Sequence, residues 1–131
     1  MRILLVGLPY FTERLYHDLV AFDKENKYYR LDTYYSKKDR LKALLLIPFI
    51  DVVYSINGTL GKSRAINLAL KKKKRVMMTW VGTDVSKAKL LANVNQSFVR
   101  NVEHYCEVDW IQEELKELNI ILVLRTVEKK R

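Results

Sequence analysis

The sequence predicts an α/β domain built on a doubly wound parallel sheet of about six strands with helices on both faces. Short apolar runs without polar alternation, such as Ile3-Leu4-Leu5-Val6 and Ile120-Ile121-Leu122-Val123-Leu124, suit strands covered on both faces. Between such runs lie segments whose apolar residues recur at helical spacing. Connections of only a few residues leave room for the β-α alternation to repeat along 131 residues, the length of one ordinary domain. We read residues 1–126 as that domain and 127–131 as a basic tail that should fray.

Ile3–Val6, closed by Gly7 and Pro9, is the first strand. Leu15, Leu19 and Phe22 fall at i, i+4 and i+7, with Thr12 available as a cap, and predict a helix ending near Asp23. Tyr28 to Tyr35 is rich in aromatic and β-favouring residues and reads as the second strand. A short helix over Lys37–Ile47 should stop at Pro48. Ile50–Ile56 is the third strand, and Asn57-Gly58-Thr59-Leu60-Gly61 turns into a helix from about Ser63 to Lys72. Arg75–Val81 is the fourth strand, followed by Val85–Val99, helical in whole or in part, and Glu103–Val108 is the fifth. Asp109, with Gln112 in the reciprocal capping-box position, opens a helix whose stripe is Ile111, Leu115 and Leu118 and which ends at Asn119. Ile120–Leu124 is the sixth strand, an edge whose open hydrogen-bonding groups make a homodimer an expectation.

Composition narrows the function classes. At 49% hydrophobic and 30% charged, the chain can bury a core, which argues against disorder. There are 24 Lys and Arg against 15 Asp and Glu, a net charge of +9, so anionic partners are favoured. Cys106 is the single cysteine and no internal disulfide can form, so a reducing cytoplasm is the expected setting. Apolar runs of about eight residues fall far short of the roughly 20 needed to span a bilayer.

Ligands of doubly wound sheets sit beyond the carboxyl ends of the strands, which directs attention to Gly7–Phe11, Asn57–Lys62 and Trp80–Asp84. Gly58-Thr-Leu-Gly61-Lys62-Ser63 follows a strand and opens a helix, as a P-loop does, but Ile56 occupies the place of its first glycine. Ser63 reads instead as a helix cap. Gly7-Leu8-Pro9 supplies one glycine where a dinucleotide fingerprint needs three, so NAD and FAD are not expected. Trp80-Val81-Gly82-Thr83-Asp84 offers an indole, a hydroxyl and a carboxylate suited to a polyhydroxylated ligand; spacing alone fits a turn and N-cap, with Trp80 in the core, at least as well. His17, His104 and Cys106 lack metal-ligand spacing, and no metal is expected. The cationic run Lys71, Lys72, Lys73, Lys74 and Arg75 exceeds what capping a helix C-terminus requires. Lys37, Lys38, Arg40 and Lys42 beside Ala43–Phe49 add to it, and together they suit an anionic membrane surface.

The segments Arg75–Val85 and Tyr105–Ile120, with the opening Met1–Phe11, resemble the N-terminal domain of bacterial and archaeal glycosyltransferases of the GT-B fold. Those domains carry a tryptophan or histidine, a glycine, a small hydroxyl residue and an aspartate after the fourth strand, here Trp80, Gly82, Thr83 and Asp84. Their first loop often has paired glycines, whereas here Gly7 precedes Leu8 and Pro9. The resemblance implies a Rossmann-like, acceptor-binding half of an enzyme that transfers a sugar from a nucleotide-sugar donor, inactive without a donor-binding domain or subunit. It implies acceptor contacts from Gly7, Tyr10, Phe11, Asn57, Gly58, Thr59, Trp80, Gly82, Thr83 and Asp84. Asp84 is the one candidate for a catalytic base, although N-capping is its more ordinary role. No cofactor is expected on this half alone. A sugar or lipid-linked acceptor is the expected ligand, at the inner face of a membrane. The alternative is a non-catalytic module that recognises anions, nucleic acid or a protein through its basic surface, nucleic acid being the least expected of its ligands because the tyrosine platforms are few.

Overall fold

The computed structural model describes residues 1–120, except Leu8, Tyr34, Leu60, Lys62, Gly82, 91–93, 107, 108 and Asn119 and the side chains of Thr83 and Asp109. Five strands, β1 (Arg2–Gly7), β2 (Lys27–Arg30), β3 (Val52–Ile56), β4 (Arg75–Thr79) and β5 (Glu103–Tyr105), form one sheet in the order β2-β1-β3-β4-β5. Every pairing is parallel. The helices are α1 (Pro9–Phe22), α2 (Lys37–Leu46), α3 (Arg64–Lys71), α4 (Thr83–Lys89), α5 (Gln96–Asn101) and α6 (Asp109–Glu117). The chain moves one way across the sheet from β1 to β2 and the other way from β2 through β3 and β4 to β5. Right-handed crossovers then put α1 on one face and α2 and α3 on the other, which is a doubly wound, Rossmann-like arrangement. The sixth expected strand falls, beyond Ile120, outside the described residues, as does the tail 127–131.

Several boundaries differ from expectation for local reasons. Helix α1 starts at Pro9, whose missing N–H costs nothing in the first turn, so Thr12 lies inside the helix and its Oγ1 donates to the Pro9 carbonyl at 3.1 Å. Its stripe is also incomplete, because Phe22 is 87% exposed while Leu15 and Leu19 are half-buried. Strand β2 stops at Arg30: Leu31 N–H makes one more bond to the Leu5 carbonyl, and then Asp32 accepts from Tyr35 N–H at 2.9 Å in a side-chain-closed turn. Helix α2 begins at the cap Ser36, and Pro48 sits in a following 3₁₀ turn, Ile47–Phe49. The stretch Val85–Val99 is helical in part: α4 ends at Lys89, and α5 is opened by Asn95, whose side chain accepts from Ser97 N–H at 3.0 Å. Ser63 caps α3 as the sequence suggests, accepting from Ile66 N–H at 3.3 Å.

The two faces of the sheet differ in chemistry. In register across one face lie Leu4 and Val6, Val53 and Ser55, Val76 and Met78, and His104. The apolar residues among them pack with Ala43 and Ile47 of the α2 layer, Ala65, Ile66 and Ala69 of α3, Phe98 of α5, and Ile111 and Leu115 of α6 in one buried cluster. The other face of β3–β5 buries Val52 and Ile56 but also carries polar pairs: Tyr54 and Thr79 share a 2.7 Å hydrogen bond, and Arg75 grips Glu103 through two bonds of 2.6 and 2.8 Å. That bidentate pair holds Glu103 below the usual carboxylate range and raises Arg75.

His104 is the one buried imidazole among the described residues. Trp80 Nε1 donates to its Nδ1 at 3.0 Å, and its Nε2 faces the carbonyls of Phe98 and Val99 at 3.0 and 3.2 Å. Indole N–H can only donate, so Nδ1 is bare and Nε2 carries the hydrogen. Burial lowers the pKa of this neutral ring from its ordinary 6.5, outweighing the two carbonyls. The unfolded chain therefore takes up a proton that the native chain refuses. Stability should be complete above about pH 6.5 and fall toward more acid pH, at up to ~1.4 kcal/mol per pH unit until the native pKa is passed. Urea melts between pH 7.5 and 5.5 should show this slope, and His104→Gln, which keeps an acceptor for Trp80, should abolish it.

Candidate functional site

The carboxyl ends of β1, β3 and β4 meet at one edge, and there the backbone is tied by a single side chain. Asp84, in the first turn of α4, is buried. Its carboxylate accepts from Gly58 N–H at 2.6 Å, from Val81 N–H at 3.0 Å and from Val85 N–H at 2.9 Å. It thus joins the loop after β3 to the loop after β4 while serving the N-terminus of its own helix. Gly58 lies flat against the Trp80 indole, and a Cβ built on it would overlap the ring. Gly7, at φ +116°, ends β1 where a Cβ would stand 2.7 Å from the Ile56 carbonyl oxygen.

These contacts distribute the residues implied by the resemblance. Gly7, Gly58, Trp80 and Asp84 are buried and support the edge, Trp80 being 1% exposed with its N–H on His104. Trp80 in the core is the plainer of the two sequence readings, and it takes the indole away from any ligand in this structure. Tyr10 and Phe11 stand out on the first turn of α1 as an edge-to-face pair 5.3 Å apart, with Arg14 donating to the Tyr10 hydroxyl at 2.9 Å. Asn57 and Thr59 are half-exposed, Thr59 N–H pointing at Met78 Sδ from 3.2 Å. Gly82 and the Thr83 side chain lie outside the described residues.

Beside this edge opens a cleft of about 530 Å³ between the N-terminal ends of α2 and α3. Its walls include Leu41, Leu44 and Ala65, and its polar groups are Thr33, Lys37, Arg40, Ser63 and Arg64. Thr33 Oγ1 also accepts from Gly7 N–H at 3.3 Å, which ties the cleft to the tip of β1. The cleft therefore opens on the face that carries α2 and α3, at the carboxyl end of the sheet where β1 and β3 lie side by side. Among the described residues, Lys37, Arg40 and Arg64 form no ion pair. The carboxylate of Asp39, the acid nearest them in sequence, is turned to Asp32 N–H at 2.8 Å, while its own backbone N–H donates to the Ser36 cap at 3.1 Å.

Cations in the first turn of a helix stand against its dipole. Lys37, Lys38 and Arg40 do so in α2, and Arg64 does so in α3. Both the dipoles and the side chains then favour an anion in the space between. In the sequence Lys37 and Arg40 belong to a basic face and Ser63 to a helix cap, and nothing local singles out Thr33 or Arg64. The available signal was this placement of cations at two predicted helix starts; what hid it was that α2 and α3 become neighbours only through the sheet.

Gly58→Ala should lower stability by about 2–3 kcal/mol through overlap with the indole. Combined with Trp80→Leu, it should cost less than the sum of the two single changes, which denaturant melts of the double-mutant cycle measure. Asp84→Asn should cost about 2 kcal/mol, because the amide cannot accept from all the N–H groups that the carboxylate serves.

A scan against protein-family models finds no match to this chain, and searches of curated proteins and of solved structures find none either.

Proposed function

We propose that the chain is the acceptor-side half of a GT-B type glycosyltransferase and that its acceptor carries a phosphate or a comparable anionic group. The observation that carries the anionic part is the cleft between the N-terminal ends of α2 and α3, where Lys37, Arg40 and Arg64 line the walls with the hydroxyls of Thr33 and Ser63. Guanidinium forks from Arg40 and Arg64 suit two oxygens of one phosphate, and Lys37 adds a point charge. The exposed Tyr10 and Phe11 lie on the same carboxyl edge and would offer a stacking surface to a sugar ring. The transferase part is supported by the resemblance of Arg75–Val85 and Tyr105–Ile120 to acceptor-side domains and by the doubly wound sheet, a fold that serves many chemistries. In this reading Asp84 acts as a positioning residue. The transfer chemistry would require a donor-binding domain or subunit presenting a nucleotide sugar across the cleft, with the acceptor held here to lower the entropic barrier.

The net charge of +9 favours the second reading, a non-catalytic module for polyanions. Titration of the chain with pyrophosphate, a glycosyl phosphate, the neutral sugar and a single-stranded oligonucleotide separates the two. A glycosyl phosphate should bind better than the neutral sugar, and Arg40→Ala or Arg64→Ala should each weaken it about tenfold. Oligonucleotide binding that is tighter than sugar-phosphate binding, steeply salt-dependent and indifferent to these two substitutions would overturn the acceptor reading in favour of the module.

A further inference from the structure

A second surface, on the α2–α3 layer and apart from the cleft's cationic lining, is built for a different partner. On α2, Leu41 and Leu45 are 60% and 70% exposed, and Phe49 in the following 3₁₀ turn is 65% exposed. Leu41 and Leu45 are one turn apart, and Lys38 and Lys42, also one turn apart and exposed, flank them on the same side of the helix. The end of α3 comes to this strip, because Lys74 Nζ donates to the Pro48 carbonyl at 3.2 Å. With it come Lys71, Lys72 and Lys73, all exposed. Arg75, in contrast, is taken up by Glu103 on β4–β5 and does not belong to this group.

The turn that displays these lysines is itself unusual. Lys74 N–H reaches back to the Ala69 carbonyl and Lys73 N–H to that of Leu70, which closes α3 with Lys73 in the left-handed region at φ +58°. Glycine is the residue that ordinarily takes this position without strain. A lysine held there puts a cation at the outermost point of the turn.

We propose that this face docks on an anionic lipid bilayer, with Leu41, Leu45 and Phe49 entering the headgroup boundary and Lys38, Lys42 and Lys71–Lys74 meeting the lipid phosphates. Charge complementarity selects this occupant: Lys38, Lys42 and the lysines at the end of α3 flank the apolar strip, and at its Phe49 end Glu25 and Asp51 are matched by Arg2 and Lys27, so the face as a whole is cationic, repels a second copy of itself and attracts a negatively charged interface. Among the described residues, no helix is long and apolar enough to cross a membrane, so the contact is peripheral. The two surfaces share only Leu41, at the rim of the cleft; none of the cleft's cations is required here, so the test uses Leu45, Phe49, Lys71 and Lys72, which do not line it.

The test is co-sedimentation of the full chain with vesicles of phosphatidylcholine alone or mixed with phosphatidylglycerol, at low and high salt. The chain should pellet with the anionic vesicles at low salt and be released by salt, while soluble glycerol phosphate should not displace it. Leu45→Ser with Phe49→Ser should weaken binding about tenfold or more, and each of Lys71→Gln and Lys72→Gln roughly fivefold. All four residues are solvent-exposed, and unchanged thermal melts of the variants would show that the fold is kept. Equal binding to neutral and anionic vesicles, binding unchanged in both sets of variants, displacement by glycerol phosphate, or a dimer that the serine variants dissolve would each overturn the proposal.

Discussion

The carboxyl edge of the sheet depends on one buried carboxylate. A charge withdrawn from water is tolerable only when its lone pairs are occupied, and Asp84 meets that condition with the N–H groups of Gly58, Val81 and Val85. The same bonds decide the shape of the edge. They draw the Gly58 backbone onto the face of Trp80, which only a residue without a Cβ permits, and they fix the start of α4 relative to the end of β4. With Trp80 so placed, its N–H must find an acceptor in the interior, and His104 Nδ1 supplies it. Aspartate, glycine, tryptophan and histidine therefore form a chain of mutual requirements running from the surface loops to β5.

The sheet divides the molecule unequally. One face carries the continuous apolar cluster with α2, α3, α5 and α6, while the other, over β3 to β5, carries Tyr54, Thr79, Arg75, Glu103 and Tyr105 joined by hydrogen bonds. Tyr105 donates to Glu103 at 2.8 Å, so the carboxylate that grips Arg75 is held from a second side. Pairing of this kind gives the face a defined geometry beside the buried Val52 and Ile56. It also takes Arg75 out of the cationic run in which the sequence places it.

The two ends of the α2–α3 layer have opposite relations to their helix dipoles. At the C-terminal end of α3, Lys71 and the lysines that follow sit where positive charge is welcome. At the N-terminal ends, Lys37, Arg40 and Arg64 sit where it is not, and they surround a cleft. The first arrangement is stable in water by itself and needs only a surface to meet. The second is relieved when an anion enters, so the same residue types point to different partners according to the end of the helix they occupy.

The sequence alone determined the α/β class, the first four strands to within a few residues, the start of α3 at Ser63 and the extent of α2. These are local matters: apolar runs closed by glycine or proline, and hydroxyl residues ahead of periodic segments. Tertiary structure decided the rest. Whether Trp80 faces a ligand or the core depends on what stands across from it, and Gly58 and His104 are 22 and 24 residues away in the chain. Strand β2 ends early because the Asp32 turn draws the chain away while β1 still runs on to Gly7, whose N–H then goes to Thr33 Oγ1. The cleft is hidden for the same reason, since Arg64 at the start of α3 meets Thr33 and Arg40 at the start of α2 only when both helices pack side by side on the sheet. Pattern along the chain records which backbone conformation each segment favours; it does not record which segments the sheet will bring side by side.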